Sequence, residues 1–210
     1  MENRHTARST WVAILALAGA VVLSILVGSV QLSWQDLIQA FQTGNLTTAG
    51  KILFSLRLPR TVLIAMVGAA LAGSGTAYQG LFRNPLADPY LIGVASGAGL
   101  GAVAAMSIDW PYTTLGLLAV PLAAFVSGML TVAAVYALAR VGKTLPASNL
   151  ILAGVAISSF ATALTSFLML RASGELRRAL AWLLGGATMS GWQPVLALLP
   201  YWVVGLGILL

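Results

Sequence analysis

Six long apolar segments constrain the fold of this chain more than any other feature. They cover residues 11–30, 61–81, 91–108, 114–139, 150–170 and 195–210. A helix needs about 20 apolar residues to cross the hydrocarbon core of a bilayer, and the segments meet or approach that length. The pattern predicts an all-α fold, a polytopic membrane helical bundle with six transmembrane spans in one domain over residues 1–210. The sixth segment reaches the last residue without a polar flank, so we expect the N-terminal portion of a longer protein.

The composition agrees with extensive contact with lipid. Hydrophobic residues make up 59% and charged residues 8% of the 210 positions, whereas a soluble domain is about 25% charged. The chain has no cysteine and one histidine, so we expect no disulfide, no metal site and no cofactor.

The five acidic side chains all lie outside the apolar segments, and no catalytic set is recognised. Since a proton or sodium relay has no titratable group there, transport would need energy from another subunit.

The basic residues leave the orientation of the spans open. Arg4 and Arg8 precede a first segment that is too long for a signal peptide, which indicates a retained span with a cytoplasmic N-terminus. Six spans then leave five basic residues on the N-terminal side and six on the opposite side, against the positive-inside rule. Either the topology is inverted, or the outer basic residues serve a purpose such as docking an acidic partner. The outer set is Lys51, Arg57, Arg60, Arg171, Arg177 and Arg178.

A polar turn separates the second and third apolar segments. Pro85 and Pro89 prevent the flanking helices from continuing through it. Asn84 and Asp88 are expected to hold the turn through bonds from their side chains to the backbone.

The third apolar segment carries glycine at every fourth position, at Gly93, Gly97 and Gly101. Within one helix this spacing predicts a flat stripe on which another helix packs closely. The glycine-rich part of the second segment, residues 68–75, is the expected antiparallel partner of this stripe.

A second stripe of small residues lies in the fifth apolar segment. Gly154, Ser158, Thr162 and Ser166 recur every four residues on an otherwise apolar helix. One interpretation is a weakly polar, water-accessible path through the membrane. The other is close helix packing with interhelical hydroxyl bonds, worth about 0.6 kcal/mol each. The residues alone leave both interpretations open.

Two short amphipathic segments, 33–42 and 175–184, lie between the apolar ones. In the first, Ser33 and Asp36 have the spacing of a helix N-cap. In the second, Gly185 and Gly186 are expected to end the helix. We interpret both as interfacial helices that seal the bundle.

Several sequence blocks, taken in order, resemble one known family, the FecCD-type permeases of ATP-driven importers for ferric siderophores, haem and vitamin B12. The run of residues 83–93, Arg-Asn-Pro-Leu-Ala-Asp-Pro-Tyr-Leu-Ile-Gly, is the most specific block. The resemblance covers the chain from about residue 50. The blocks are Leu56–Arg60, Gly68–Gly75, Arg83–Pro89, Leu91–Ala98, Leu150–Ala156 and Trp182–Gly186.

The resemblance implies a permease of ten spans that works as a dimer, with the substrate path between the two copies. The fifth span borders this path in the family, which favours the path-lining interpretation of its small residues. The family has a cytoplasmic N-terminus, so Arg57 and Arg60 would face the periplasm and pair with glutamates of a substrate-binding protein.

The resemblance also implies the setting and the partners. The expected location is the bacterial inner membrane, and transport of an iron complex (siderophore or haem) or cobalamin into the cytoplasm would proceed by alternating access. The expected partners are a second permease copy, cytoplasmic ATPase subunits, a periplasmic or lipid-anchored binding protein and membrane lipid, with no nucleic acid and no catalysis by this chain. The family's coupling helices and last four spans lie beyond Leu210, so we interpret the chain as a fragment. The alternative is a truncated half-permease or a non-transporting membrane scaffold.

Overall fold

The computed structural model describes residues 2–108, 110, 114–171, 176–185 and 191–209, with only the backbone described for 2–7, 114–117 and 176–178. These residues form helices joined by turns. The α-helices are α1 (Glu2–Leu26), α2 (Trp34–Thr43), α3 (Thr48–Ile52), α4 (Leu58–Phe82), α5 (Val94–Met106), α6 (Thr114–Ala139), α7 (Ala147–Arg171), α8 (Leu176–Leu183) and α9 (Gln193–Leu209). Short 3₁₀ helices cover Gly44–Leu46 and Pro89–Ile92, and a π-helical segment, Leu53–Arg57, joins α3 to α4.

Four of the helices in the described ranges are long and apolar enough to cross a membrane. They cover Arg8–Leu26, Thr48–Phe82, Leu118–Ala139 and Ala147–Arg171. The apolar helices α5 and α9 overlap the predicted third and sixth spans, and at 13 and 17 residues they are shorter than the four long helices. The 13 residues of α5 extend over only about 20 Å at 1.5 Å per residue. The all-helical membrane class is therefore confirmed, and the count of six spans stays a prediction.

Two predicted segments differ from the helices that form. The predicted span 61–81 belongs to a continuous helical stretch that begins at Thr48, because the π-helical segment carries the chain into α4 without a break. The predicted span 91–108 is interrupted at Gly93, whose φ of 79° is left-handed. Only the part from Val94 onward is α-helical, so Gly93 precedes α5 and does not belong to its helical stripe.

The described residues divide into two compact units, and the boundary falls within α4, after Gly73. The first unit comprises Met1–Gly73 and Thr188–Leu210. Its apolar core is formed by Leu37, Ala40 and Leu53, packed against the end of α1. In the same unit the indole N–H of Trp202 on α9 donates to the carbonyl oxygen of Met66 on α4 at 3.0 Å.

The second unit, Ser74–Ala187, is built on α5, α6 and α7, which pack against one another. Its buried cluster consists of Ile92, Val135, Ala139 and Leu150. The amphipathic helix α8 contacts α5 and α7. The unit therefore places the 3₁₀ turn and the start of α5 against two long apolar helices.

Candidate functional site

The α5 glycines allow α6 to approach closely. A Cβ atom on Gly97 would lie 2.6 Å from the Cβ of Thr131, and one on Gly101 would lie 2.9 Å from the carbonyl carbon of Ala123. Both distances are shorter than any real contact of a Cβ atom, so only glycine fits. We expected α4 to pack against this stripe. That prediction was wrong, because α6 occupies the space in front of both glycines. Ala123, Ser127 and Thr131 recur every four residues, so α6 carries a stripe of small residues of its own.

Gly93 brings together three elements of the second unit. A Cβ atom on this residue would lie 2.7 Å from the hydroxyl oxygen of Ser158 on α7 and 3.3 Å from Cγ2 of Thr131 on α6. The left-handed φ independently favours glycine. Gly93 is thus required both by the turn and by the crowding around it.

The turn before α5 is held by the two expected side chains. Asn84 accepts a hydrogen bond from the backbone N–H of Leu86 at 2.9 Å, and Asp88 accepts one from Tyr90 at 2.8 Å. Pro85 lies in this turn, and Pro89 opens the 3₁₀ helix. The turn therefore has a defined backbone path between α4 and α5.

The end of α4 has a backbone conformation that the sequence does not predict. Arg83 has a φ of 48°, in the left-handed region, where glycine usually ends a helix. The N–H of Asn84 donates to the carbonyl oxygen of Gln79 at 3.1 Å, which closes the helix end. Because a side chain disfavours this backbone region, the Arg83 position stores local strain.

The small residues of the α7 stripe differ in how deeply they are buried. Gly154 is buried, and its Cα faces the 3₁₀ turn so closely that a Cβ atom would lie 3.0 Å from the carbonyl carbon of Leu91. Ser158 is half-buried beside Gly93, whereas Thr162 and Ser166 are exposed. The buried face of α7 continues instead through Ala161 and Thr165, because a helix of 3.6 residues per turn rotates a four-residue repeat away from its starting face.

The two predicted docking arginines have different surroundings. The guanidinium of Arg57 is half-buried and donates to the carbonyl oxygens of Ile25 at 2.6 Å and Leu26 at 2.9 Å. It also donates to the carbonyl oxygen of Val30. Arg60 is exposed. The side chains of Arg177 and Arg178, and residues Asp109, Glu175 and Gly186, lie outside the described residues.

The amphipathic helix α2 begins with the predicted N-cap, which is confirmed. The backbone N–H and hydroxyl of Ser33 both donate to the carboxylate of Asp36, at 2.8 and 2.7 Å, and the N–H of Asp36 donates back to Ser33 Oγ at 3.1 Å. The Ser33 hydroxyl first, and its backbone N–H second, lower the pKa of Asp36. Leu37 and Ala40 are buried, whereas Trp34 remains 71% exposed, as expected for a helix at a membrane surface.

These features define a helical membrane protein with close helix contacts and with two arginines, Arg57 and Arg60, at the start of one apolar helix. The model of the FecCD transport family matches residues 14–210. The chain belongs to this family.

Individual relatives agree with this membership. The chain is 43% identical over 183 residues to the cobalamin import system permease protein BtuC of Halobacterium salinarum, covering 85% of this chain and 48% of that protein. It is 36% identical over 190 residues to the Fe(3+) dicitrate transport system permease protein FecD of Escherichia coli, covering 90% of this chain and 57% of that protein. The chain thus spans about half the length of these relatives.

A solved structure has a similar fold. It is described as an inward-facing conformation of a metal-chelate type ABC transporter, and it matches with a TM-score of 0.72 at 28% identity. The match covers 94% of this chain and 59% of that structure's chain. The fold of this chain is therefore shared with a chain of a solved ABC transporter.

Proposed function

We propose that the chain is a permease subunit, or part of one, of an ATP-driven importer that moves an iron complex or cobalamin from periplasm to cytoplasm. The family match over residues 14–210 carries the proposal. The names of its relatives support the substrate class, since they include permeases of import systems for cobalamin and for ferric dicitrate. The chain catalyses no reaction in this proposal, and separate ATPase subunits supply the energy.

The proposed topology has six spans with the N-terminus in the cytoplasm of a bacterial cell. The four long apolar helices and the shorter α5 and α9 would supply the spans. The segment 27–57, with the interfacial helix α2, then faces the periplasm, and the turn 83–92 faces the cytoplasm. In this orientation the larger set of basic residues lies on the periplasmic side, where it would form a docking surface for an acidic binding protein.

The proposed translocation path runs along α7, between this chain and a second permease copy. Thr162 and Ser166 support it, because they are exposed polar residues on an otherwise apolar helix. The hydroxyl of Ser166 donates to the carbonyl oxygen of Thr162 at 3.0 Å, so its donor is satisfied within the helix. Gly154 and Ser158 would set the position of α7 through their contacts with the turn before α5. Alternating access would then open the path to each side in turn.

Uptake measurements test this proposal. The protein is expressed with its ATPase and binding-protein subunits in cells that lack their own importers, and accumulation of labelled cyanocobalamin, ferric citrate and haem is measured. We expect ATP-dependent accumulation of one of the three, which an inactive ATPase variant abolishes. Absence of uptake of all three, with the subunits assembled in the membrane, would reject the proposed substrates and favour a scaffold.

The path is tested by blocking it. Thr162→Trp is expected to abolish uptake while leaving the amount of assembled complex unchanged. Leu164→Trp is the matched control, since Leu164 is 36% exposed and lies about 200° from Thr162 around the helix at 100° per residue. Equal uptake by both variants would remove Thr162 from the path.

A further inference from the structure

Pro59 leaves a gap in the backbone hydrogen bonds at the start of α4. In an α-helix the N–H of Leu58 would donate to the carbonyl oxygen of Phe54, but here it donates to that of Leu53, one residue further back. The next residue at the π-helical spacing from Phe54 is Pro59, which has no N–H. The carbonyl oxygen of Phe54 therefore receives no donor from these two positions of its own helix.

The same proline explains why the chain forms a π-helical turn here. A proline ring within an α-helix clashes with the carbonyl group four residues earlier, which is that of Ser55. The π-helical spacing places one extra residue in the turn and so moves this carbonyl group away from the ring. Pro59 is fully buried, so its ring has little room to avoid the clash by moving aside.

Trp192 supplies the missing donor from a distant part of the chain. It directly precedes α9, and its carbonyl oxygen accepts the N–H of Leu196 at 3.0 Å, so its backbone belongs to the first turn of that helix. The indole N–H of Trp192 donates to the carbonyl oxygen of Phe54 at 3.0 Å. The start of α9 thus replaces the bond that the proline removes.

The side chains of the π-helical segment pack against α2. The ring of Phe54 meets that of Phe41 edge to face, with the ring centres 5.7 Å apart and the planes at 88°. Leu53 shares a buried core with Leu37 and Ala40. Residues 33–54 therefore form one packed body on the N-terminal side of the gap, and the bond from Trp192 attaches α9 to this body.

The helix α9 is also bonded to α4 on the other side of the gap. The indole N–H of Trp202 donates to the carbonyl oxygen of Met66 at 3.0 Å. Further along, a Cβ atom on Gly73 would lie 3.4 Å from Cδ2 of Leu206. The contacts advance along both helices together, so α9 and α4 run side by side in the same direction. The helix α9 thus spans the gap, with an indole bond on each side of it.

We propose that residues 55–59 are a hinge between the packed body 33–54 and the rest of α4, and that α9 is the brace that holds this hinge in place. A π-helical turn and a proline are both recognised causes of helix bending, and here they are adjacent. When the indole bond of Trp192 is lost, the carbonyl group of Phe54 has no replacement donor at these two positions, and the body pivots about the start of α4. A movement of α9 during transport would release the body in the same way. This coupling rests on the proposed function, whereas the brace does not.

Amide hydrogen exchange of the full chain in nanodiscs tests the brace. We expect Trp192→Phe to raise the exchange rate over residues 53–58 about three- to tenfold, the factor by which one hydrogen bond shifts a local opening equilibrium. Trp192→His keeps a ring N–H and should restore part of the protection. Trp34→Phe is the matched control, since that indole is 71% exposed. Equal exchange rates in Trp192→Phe and Trp34→Phe would overturn the brace.

Pro59→Ala tests whether the proline creates the need for the brace. The alanine adds an N–H at the π-helical spacing from Phe54, so the carbonyl oxygen gains a donor within its own helix. In this background Trp192→Phe should raise exchange much less than in the unmodified chain, because the two residues act on one group. Fully additive effects would contradict the proposal. If Pro59→Ala does not fold, the comparison of Trp192→Phe with Trp34→Phe still decides.

Distances between spin labels test the pivot. The chain has no cysteine, so Gln39→Cys on α2 and Gly68→Cys on α4, both at exposed positions, place one label on each side of the hinge. We expect the distance distribution from pulsed electron spin resonance to widen in Trp192→Phe and to stay unchanged in Trp34→Phe. Equally narrow distributions in both variants would overturn the hinge.

The same labels in the assembled importer test the coupling to transport. The labelled importer is first shown to transport its substrate in proteoliposomes, and its distances are then measured without nucleotide and with a non-hydrolysable ATP analogue. We expect the distribution to differ between the two states, and Trp192→Phe to remove most of that difference. An importer that transports with one distribution in both states would reject the coupling alone. The exchange results for the brace, and the proposed function itself, would stand.

Discussion

Gly97 of α5 lies against Thr131 of α6, and a Cβ atom on Gly97 would be 2.6 Å from the Cβ atom of Thr131. The hydroxyl of Thr131 is itself fixed, because it donates to the carbonyl oxygen of Ser127 at 2.8 Å. Gly97→Ala should therefore push the helices apart and destabilise the protein by about 1–3 kcal/mol, the usual cost of overpacking. Thermal unfolding in detergent measures the loss. Gly68→Ala is the control, since nothing lies within 4 Å of its Cβ position, and equal melting of both variants would contradict the packing described.

Gly154→Ala is expected to disturb the turn before α5. The added Cβ would meet the backbone of Leu91 and lie 3.1 Å from Cα of Ile92. Because backbone atoms cannot rotate aside as a side chain does, the loss should reach the upper part of the same range, about 2–3 kcal/mol. Amide exchange over residues 89–97 should rise as the turn loosens. Gly75→Ala, whose Cβ position has no atom within 4 Å, should leave that exchange unchanged; a rise there as well would point to a general effect of alanine.

Trp192→Phe removes the hydrogen bond to the carbonyl oxygen of Phe54 while keeping an aromatic ring. We expect a loss of about 0.5–1.5 kcal/mol, the net value of one hydrogen bond, with faster exchange in the π-helical segment. Unfolding by a denaturing detergent measures the free energy. The matched variant Trp34→Phe changes an indole that is 71% exposed and should have little effect. If the two substitutions cost the same, the bond to Phe54 contributes nothing.

Low pH should loosen the start of α2. The bonds from Ser33 lower the pKa of Asp36, so the unfolded chain binds a proton at higher pH than the folded one. The stabilisation is complete above the ordinary aspartate pKa and is lost as pH falls through the lowered value. NMR titration of the Asp36 carboxyl carbon should give a midpoint below the usual range. In Ser33→Ala the midpoint should rise toward the usual value, and an unshifted midpoint in the unmodified chain would contradict the capping geometry.

Local features were predictable from the sequence where a few neighbouring residues determine them. The N-cap pair Ser33 and Asp36 is three residues apart, and the side chains of Asn84 and Asp88 each bond to backbone two residues away. The apolar segments likewise indicated the long helices, because a bilayer imposes their length and hydrophobicity. The break at Gly93 was missed, since glycine within an apolar run is read equally well as a packing residue and as a left-handed turn.

The sequence pattern did not predict which residues far apart in the chain contact one another. Stripes of small residues occur on α4, α5, α6 and α7, and spacing alone does not pair them; α4 was expected against Gly97, where α6 lies. Trp192 and Phe54 are 138 positions apart, and no periodicity links them.

The sequence by itself determined that this protein is a bundle of membrane helices, and it carries the family's motifs, because apolar length and turn chemistry are local properties. The tertiary structure decided which surfaces each motif meets. Arg57 and Arg60 belong to one motif, yet the first is held by the end of α1 while the second is exposed. That difference arises because the unsatisfied carbonyl groups of a helix end attract a cation only when another part of the chain brings one within hydrogen-bonding distance.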